Sequence, residues 1–250
     1  MLPSLKQLST LETPCGPIVF ELKRSLIRKG LTIAINDKGE IRVLASQLTS
    51  GAQIHQFVLK KADWIHHHLA KIQKKNEILN NRKFESGEEF SFLGKKYKLE
   101  VLERDVSRTQ LTFDSSKWIV CLPLFKTNGE RQELVKGKLI KWYQWQAKEI
   151  LGGRIFHYSR TIGVEPKKIV VKTQKRLWGS CDYRKKTIHL NWQIIMSPIS
   201  VIDYVIVHEL CHLIVPNHSK RFWKRVAEVL PNYASPRKWL NTYGWEMKLS

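Results

Sequence analysis

Three histidines and one glutamate near the carboxyl end of the chain have the spacing of a hydrolytic metal site. His208 and His212 stand four residues apart, so on an α-helix both imidazoles lie on one face and can share one metal ion. Glu209 follows the first histidine, from where its carboxylate can take a proton from a metal-bound water. This is the HExxH pattern of zinc hydrolases. His218, which five residues separate from His212, supplies a third ligand. Three protein ligands leave a position open for water, which predicts a catalytic Zn2+ ion.

The predicted helix that carries this motif is apolar on nearly every side, from Ile199 to Ile214. Such a helix is buried, and histidines and a glutamate on a buried helix cost on the order of several kcal/mol unless a partner satisfies them. Because a residue before proline avoids helical geometry, Pro216 predicts that the helix ends near Val215. The chain can then turn and bring His218 toward the metal. The alternative is a chance match, with core histidines held by ordinary hydrogen bonds.

Composition indicates a water-soluble globular protein of 250 residues, with 42% hydrophobic and 26% charged residues. No apolar stretch reaches the roughly 18 residues of a membrane span. The four cysteines form no CxxC pair, which predicts reduced thiols and a cytoplasmic protein. The formal net charge is +21, and most of the excess falls in residues 131–250, with 22 basic and 8 acidic side chains. That charge favours polyanionic partners, nucleic acid among them, although general solubility is the simpler interpretation.

Hydrophobic periodicity divides the chain into a β-rich N-terminal domain with one helix, residues 1–130, and an α+β domain, residues 131–250. In the first domain the helix is predicted at 50–80, between two groups of short strands. In the second, a long amphipathic helix from 134 to about 160, with a possible break at Gly152-Gly153, precedes the metal motif. No internal repeat is visible. The predicted strands are 18–22, 31–35, 41–44, 89–93, 96–102, 110–113, 118–122, 168–173 and 187–192.

Several short segments together resemble the YgjP-like metallopeptidase family, which is similar to SprT-like and other zincin-type metalloproteases. The segments are Arg176-Leu-Trp-Gly-Ser-Cys181, Ile188-His-Leu-Asn-Trp192, Ile202-Asp-Tyr-Val205, His208-Glu-Leu-Cys-His212, Asn217-His-Ser219 and Phe222-Trp223. The resemblance implies a zincin-like α+β metal-binding domain with a central HExxH helix. It implies His208, His212 and His218 as zinc ligands and Glu209 as catalytic base. The chain departs from the family pattern at Cys211, where a small residue such as alanine is usual.

Substrate contacts are predicted on a basic loop, Lys172–Lys186, and on the metal helix. In the loop, Arg176, Trp178 and Ser180 are candidates for binding a substrate, because lysines and arginines here can hold phosphates or an acidic chain. The alternative is a positively charged hairpin with Trp178 as a core anchor. Tyr204 lies one helical turn before His208 and is a further candidate, because a phenol there could stabilise an oxyanion, although a core tyrosine with a bonded hydroxyl is the favoured interpretation. Asp203 either orients a ligand histidine or supports the helix N-terminus.

The sequence therefore predicts a zinc-dependent metallohydrolase, a metallopeptidase acting on a peptide or protein through a Glu-activated water. A rival enzyme is a metal-dependent nucleoside triphosphate pyrophosphatase with an anionic nucleotide as substrate. Residues 170–220 hold only three carboxylates, Asp182, Asp203 and Glu209, which disfavours an all-carboxylate magnesium site. A third alternative is a nucleic-acid-associated metalloprotein in which the basic surface dominates.

Overall fold

The computed structural model describes residues 8–28, 30–80, 82–124 and 127–249. Helices and strands both contribute, with sheets ahead of most of the helices, so the predicted α+β class with a β-rich N-terminal part is confirmed. The chain forms two compact units, Met1–Asn81 and Arg82–Ser250. The boundary between these units differs from the predicted domain boundary after residue 130. None of the helices in the described ranges combines the length and apolar character that a bilayer span requires.

The first unit is a four-stranded sheet with two helices. Its core forms because alternate residues of the strands are apolar, as in β4, where Ile41, Val43 and Ala45 are buried. The predicted hairpin joins β3 to β4 in antiparallel register, with the amide of Gly39 donating to the carbonyl of Asn36. The helix predicted at 50–80 is two helices, because the chain leaves helical geometry at Lys61. The elements are β1 Leu8–Leu11, β2 Ile18–Ser25, β3 Thr32–Ile35, β4 Ile41–Ser46, α1 Gly51–Lys60 and α2 Ala62–Asn80.

The second unit begins with another four-stranded sheet. Its strands are β5 Glu89–Phe92, β6 Lys95–Arg104, β7 Gln110–Phe113 and β8 Lys117–Pro123, hydrogen-bonded in the order β5-β6-β8-β7. Trp118, Val120 and Leu122 alternate along β8 and are fully buried. All four strands lie where the hydrophobic alternation predicts them.

The two four-stranded sheets share one topology, which no repeat in the sequence reveals. In each, the first strand is antiparallel to the second, the second is parallel to the fourth, and the fourth is antiparallel to the third. Each fourth strand leads into a helix whose first turn carries a capping box, Ser50 with Gln53 in one case and Thr127 with Glu130 in the other. Burial alternates along the third and fourth strands of both sheets while the residue identities differ, so the two sheets share a pattern and not a sequence.

After the second sheet, one long helix, α3 Asn128–Ile162, runs without interruption through Gly152-Gly153. The predicted break is absent because a buried stripe continues on both sides, from Ala147 to Leu151 and Ile155. Near its middle, Trp142 and Tyr143 pack on the ring of Trp118, with centroid distances of 4.5 and 5.3 Å. This aromatic cluster places the second sheet in one core with α3, which is why the compact unit begins at Arg82.

A three-stranded sheet and the remaining helices complete the second unit. Its strands are β9 Lys168–Lys172, β10 Gly179–Asp182 and β11 Thr187–Asn191, in the order β10-β11-β9. The sequence predicted β9 and β11 but assigned β10 to a loop. A 3-10 helix, Trp192–Met196, leads into the metal-motif helix. The helices are α4 Ile199–Cys211, α5 Lys220–Val229 and α6 Ala234–Tyr243, followed by a second 3-10 helix, Gly244–Met247.

Contacts with the second sheet position the start of α4. The amides of Leu93 and Gly94, in the turn between β5 and β6, donate to the carbonyls of Ile195 and Met196. A Cβ atom on Gly94 would lie 2.9 Å from Pro198, at the N-terminus of α4, and its φ of +82° is in the left-handed region. Glycine is therefore required where this turn meets the helix.

Candidate metal centre

The three histidines of the motif converge on one point. His208 and Glu209 lie in the last turn of α4, His212 caps it, and His218 returns on the segment before α5. The three Nε2 atoms lie 3.2, 3.1 and 2.9 Å from one another. Nitrogen ligands at about 2.05 Å from a tetrahedral zinc ion would be about 3.3 Å apart. The trio therefore has nearly the separation that one zinc ion requires, and it is a group that could hold a metal.

The tautomer of His212 suits metal binding. Its Nδ1 atom lies 3.1 Å from the carbonyl oxygen of Val215. Because a carbonyl oxygen only accepts hydrogen bonds, Nδ1 carries the proton and the lone pair of Nε2 faces the other two imidazoles. The tight turn after Cys211 that brings this carbonyl close is the one that Pro216 terminates.

Two aromatic residues of α5 hold the imidazole rings. Phe222 is fully buried and stacks on His212, with ring centroids 4.4 Å apart and an interplanar angle of 26°. Trp223 stacks on His218 at 5.7 Å and 24°. Rings clamped in this way lose little further rotamer freedom when they bind a metal, which favours binding.

Burial keeps the imidazoles of His208 and His212 uncharged. Desolvation, with smaller contributions from the neighbouring histidines and Arg237, lowers the pKa of His208 to about 3. Burial also lowers the pKa of His212, against a hydrogen bond with Val215 that raises it. Neutral imidazole is the form that binds a metal, so these two side chains are held in that form at neutral pH.

Glu209, on α4, faces β10, the strand that the sequence did not predict. The residue is 6% exposed, and burial raises the pKa of its carboxyl to about 8. A Cβ atom on Gly179, the first residue of β10, would lie 2.6 Å from Cγ and 2.7 Å from Oε1 of Glu209. The glycine therefore makes room for the carboxylate beside an edge strand of the sheet.

An ion pair connects α3 to the metal helix. The guanidinium of Arg154 contacts the Asp203 carboxylate through two nitrogens. Its Nη2 donates to Oδ2 at 2.5 Å, and its Nε donates to Oδ1. Asp203 is 7% exposed. Among the described residues it makes no hydrogen bond to a histidine of the motif, and it does not cap α4, so neither role predicted for it is present.

Comparison with known proteins agrees with the motif. The family model described as "YgjP-like, metallopeptidase domain" matches residues 29–243. The chain belongs to this family. The resemblance noted in the sequence is thereby confirmed. Among solved structures the chain is similar to the metallopeptidase zymogen of Pyrococcus abyssi abylysin, at 21% identity and a TM-score of 0.35, over 37% of this chain and 92% of that one. The search of curated proteins found no match.

In this YgjP-like chain, the four predicted substrate contacts have different surroundings. Trp178 packs against Gly244, 3.3 Å from where a Cβ atom would stand, as expected of a core anchor. Ser180 lies in β10, opposite His189 of β11. The ring of Tyr204 lies 5.8 Å from that of His208, and burial raises the pKa of its phenol. Arg176 is exposed. Their roles in substrate binding stay predictions.

The structure also places residues near the site that the sequence reading missed. The guanidinium of Arg237, on α6, lies 4.4 Å from the ring centroid of Trp223, the ring that stacks on His218. Its charge contributes to lowering the pKa of His208, and it partly offsets the burial that raises the pKa of Tyr204. No motif marks Arg237, because it lies 19 positions after the last histidine on a different helix.

Asn191 is a second residue of this kind, and it holds the loop before β10. Its side-chain Nδ2 donates to the carbonyls of Gln174 and Leu177, at 2.9 and 3.3 Å. Its backbone N–H donates to the carbonyl of Trp178 at 2.8 Å. With three bonds from one buried residue, the loop has a defined path into β10. The sequence signal for Asn191 was its position in the segment Ile188-His-Leu-Asn-Trp192, which is part of the family resemblance.

Proposed function

We propose that the chain is a zinc-dependent metallopeptidase, with His208, His212 and His218 as zinc ligands and Glu209 as general base. The observation that carries the proposal is the convergence of three Nε2 atoms within 3.2 Å beside a buried carboxylate. Membership of a metallopeptidase-domain family supports the same reaction class. The sequence alternatives in which the histidines are ordinary core residues leave this convergence unexplained.

A zinc ion held by three imidazoles would supply Lewis acidity toward water and a substrate carbonyl. The other steps belong to Glu209. A bound cation would favour its ionised form against the burial that raises its pKa, and this carboxylate takes a proton from the attacking water and then delivers that proton to the leaving amine. Because Glu209 is buried, bulk water forms few hydrogen bonds with its carboxylate.

The strand beside Glu209 offers a place for an extended peptide. Within the described chain β10 pairs only with β11, so its other side is an edge. A peptide that adds to this edge would form main-chain hydrogen bonds there and bring a scissile bond toward the carboxylate. Gly179 supports this arrangement, since its close contact with Glu209 puts the strand edge next to that carboxylate. Ser180, on the same strand, is the predicted contact that such a peptide would meet.

Arg237 is positioned to select acidic substrates. The described residues provide no ion-pair partner for it. Its guanidinium lies over the ring of Trp223, which stacks on His218, and its charge reaches His208. A carboxylate on the substrate would complete this pairing. We expect an aspartate, a glutamate or a free C-terminal carboxylate close to the cleaved bond.

The experiment compares wild type with Glu209→Gln against a peptide library and a panel of nucleoside triphosphates, each with and without a chelator. Metal content is measured in both proteins by elemental analysis. We expect about one zinc per chain in both and a turnover of peptides about 10³-fold lower in the variant. Loss of wild-type activity on chelation, restored by zinc, completes the expected result.

Three outcomes would contradict the proposal. They are full peptide turnover by Glu209→Gln, absence of a bound transition metal after loading, and chelator-sensitive hydrolysis of nucleoside triphosphates without any of peptides. Ser219→Ala is the matched control, because this exposed residue at the start of α5 makes no side-chain capping bond. Its activity and metal content should equal those of wild type.

A further inference from the structure

A second concave site lies between α3 and the carboxyl end of β9. The cavity has a volume of about 310 Å³. It shares no lining residue with the histidine site, and β9 is at the opposite edge of the three-stranded sheet from β10. We call it the lysine–tryptophan cavity, after the side chains that dominate its lining, which are Lys141, Gln144, Trp145, Lys148, Lys172 and Trp192.

The helix contributes one continuous face to this cavity. Lys141, Gln144, Trp145 and Lys148 follow one another at intervals of three, one and three residues, which places them on the same side of α3. Trp192 is 1% exposed, and its Nε1 donates to Thr173 at 2.9 Å, so this wall is rigid. Trp145, by contrast, is 58% exposed. The cavity therefore combines a fixed wall with an aromatic ring that is free to contact a ligand.

The electrostatics of the cavity are one-sided. Lys141, Lys148 and Lys172 line it, and no carboxylate does. In the part of the chain that the structure describes, none of the three ammonium groups has an ion-pair partner. Three unpaired cations around one concavity attract an anion, and the net charge of +21 adds to that attraction over longer distances.

Trp145 narrows the chemistry of the ligand. Its indole is exposed and makes no ring contact among the described residues, so the ring has no aromatic partner within the protein. An acidic peptide would use the lysines but would gain little from an exposed indole. A nucleotide uses both, because its phosphate pairs with ammonium groups and its base stacks on an aromatic ring.

We propose that the lysine–tryptophan cavity binds a nucleotide unit, with the phosphate among the lysines and the base against Trp145. The volume lies at the lower end of the roughly 300–1,000 Å³ of ligand sites, which suits one such unit. The unit comes from a single strand or from a free nucleotide, since both present an unstacked base. A duplex keeps its bases stacked inside and would engage the lysines alone.

Fluorescence anisotropy of a labelled oligothymidylate of about 12 nucleotides tests the proposal at moderate salt. Competitors are unlabelled duplex DNA, thymidine monophosphate and polyglutamate. The site variants are Trp145→Ala and the pair Lys141→Glu with Lys148→Glu. The control pair is Lys71→Glu with Lys74→Glu, two exposed lysines of α2 whose reversal changes the net charge equally. Circular dichroism verifies folding, and peptide hydrolysis is measured in parallel.

We expect Trp145→Ala to weaken binding of the oligonucleotide about tenfold without changing its salt dependence. The Lys141/Lys148 pair should weaken it more than the Lys71/Lys74 pair, and peptide turnover should stay at the wild-type level in all variants. Strong competition by thymidine monophosphate would identify a free nucleotide as the ligand, and weak competition would identify a strand; both agree with the proposal.

Other results would overturn it. Equal weakening by the two lysine pairs would show that only the overall field attracts the oligonucleotide. Unchanged binding in Trp145→Ala, or competition by polyglutamate or duplex as strong as that by unlabelled oligothymidylate, would show that no base is bound at this ring.

Discussion

Gly179 and Glu209 are in such close contact that no side chain fits between them. A Cβ atom on Gly179 would lie 2.6 Å from Cγ of Glu209, well inside van der Waals contact. The strand β10 and the helix α4 therefore meet at this glycine, and the direction of the carboxylate depends on it. Since Glu209 is 6% exposed, it has little room to move elsewhere.

Substitution of this glycine by alanine should impair catalysis while leaving metal binding intact. Gly179→Ala displaces the Glu209 carboxylate, and a displacement of about 1 Å lowers turnover on the order of 10²-fold. The measurements are kcat on a cleaved peptide and zinc content. Gly153→Ala is the control, because Gly153 lies on the exposed side of α3 and a Cβ atom there would meet nothing within 4 Å. It should keep full turnover and stabilise the fold by about 1 kcal/mol. Equal turnover of the two variants would remove any role of Gly179 in positioning.

The Arg154–Asp203 pair should stabilise the second unit. Asp203→Asn removes the buried charge that the partly exposed guanidinium of Arg154 contacts, and we expect the free energy of unfolding to fall by about 2 kcal/mol. Urea denaturation measures it. The double variant Arg154→Leu with Asp203→Leu leaves no unpaired charge. Its loss of unfolding free energy should therefore be smaller than the sum of the losses in the single variants Arg154→Leu and Asp203→Leu. Additive losses would mean that the two residues do not interact.

Arg237 should determine preference for acidic substrates. Arg237→Ala is expected to raise KM about tenfold for a peptide with an acidic residue beside the cleaved bond and to leave a neutral analogue unaffected. Arg237→Lys should restore part of the preference. Lys238→Ala, an exposed neighbour on α6, is the control and should change neither peptide. An equal loss on both peptides would indicate that Arg237 only supports the fold around Trp223.

Two cysteines should be nearly inert toward thiol reagents in the native protein. Burial, together with Glu209 and Asp182, raises the pKa of Cys181 to about 12. Burial also raises the pKa of Cys211 to about 11. Because only the thiolate reacts and a raised pKa reduces its fraction, labelling at pH 8 should be slower than in guanidinium, where the pKa returns to about 8.5, by on the order of 10²-fold for Cys211 and 10³-fold for Cys181.

The rate of this labelling should rise about tenfold for each unit of pH between 8 and 10, because the thiolate fraction does so below the pKa. Exposed Cys15 provides the internal comparison and should react first. Mass spectrometry of the labelled peptides distinguishes the sites. Rapid native labelling of Cys211 would show that the end of α4 opens in solution.

Much of the architecture was predictable because local patterns determine it. Alternating apolar residues such as Ile41, Val43 and Ala45 specify a half-buried strand whatever surrounds them, and the strands at 18–22, 41–44 and 118–122 followed this pattern. The break predicted at Gly152-Gly153 was wrong because the packing of neighbouring turns on the core outweighs the weak helix preference of glycine. Strand β10 was missed because Gly179-Ser-Cys-Asp182 has no alternation, and only pairing with β11 makes it a strand.

The sequence alone determined the types and spacing of His208, Glu209 and His212, because one turn of helix relates them and helical geometry needs no further information. Only the tertiary structure decided that Gly179 faces the glutamate, that Arg237 rests on Trp223, and that two dissimilar segments build sheets of one topology. These relationships join residues distant along the chain. They depend on how whole elements pack, and packing depends on the shape and volume of every side chain in the core rather than on any local pattern.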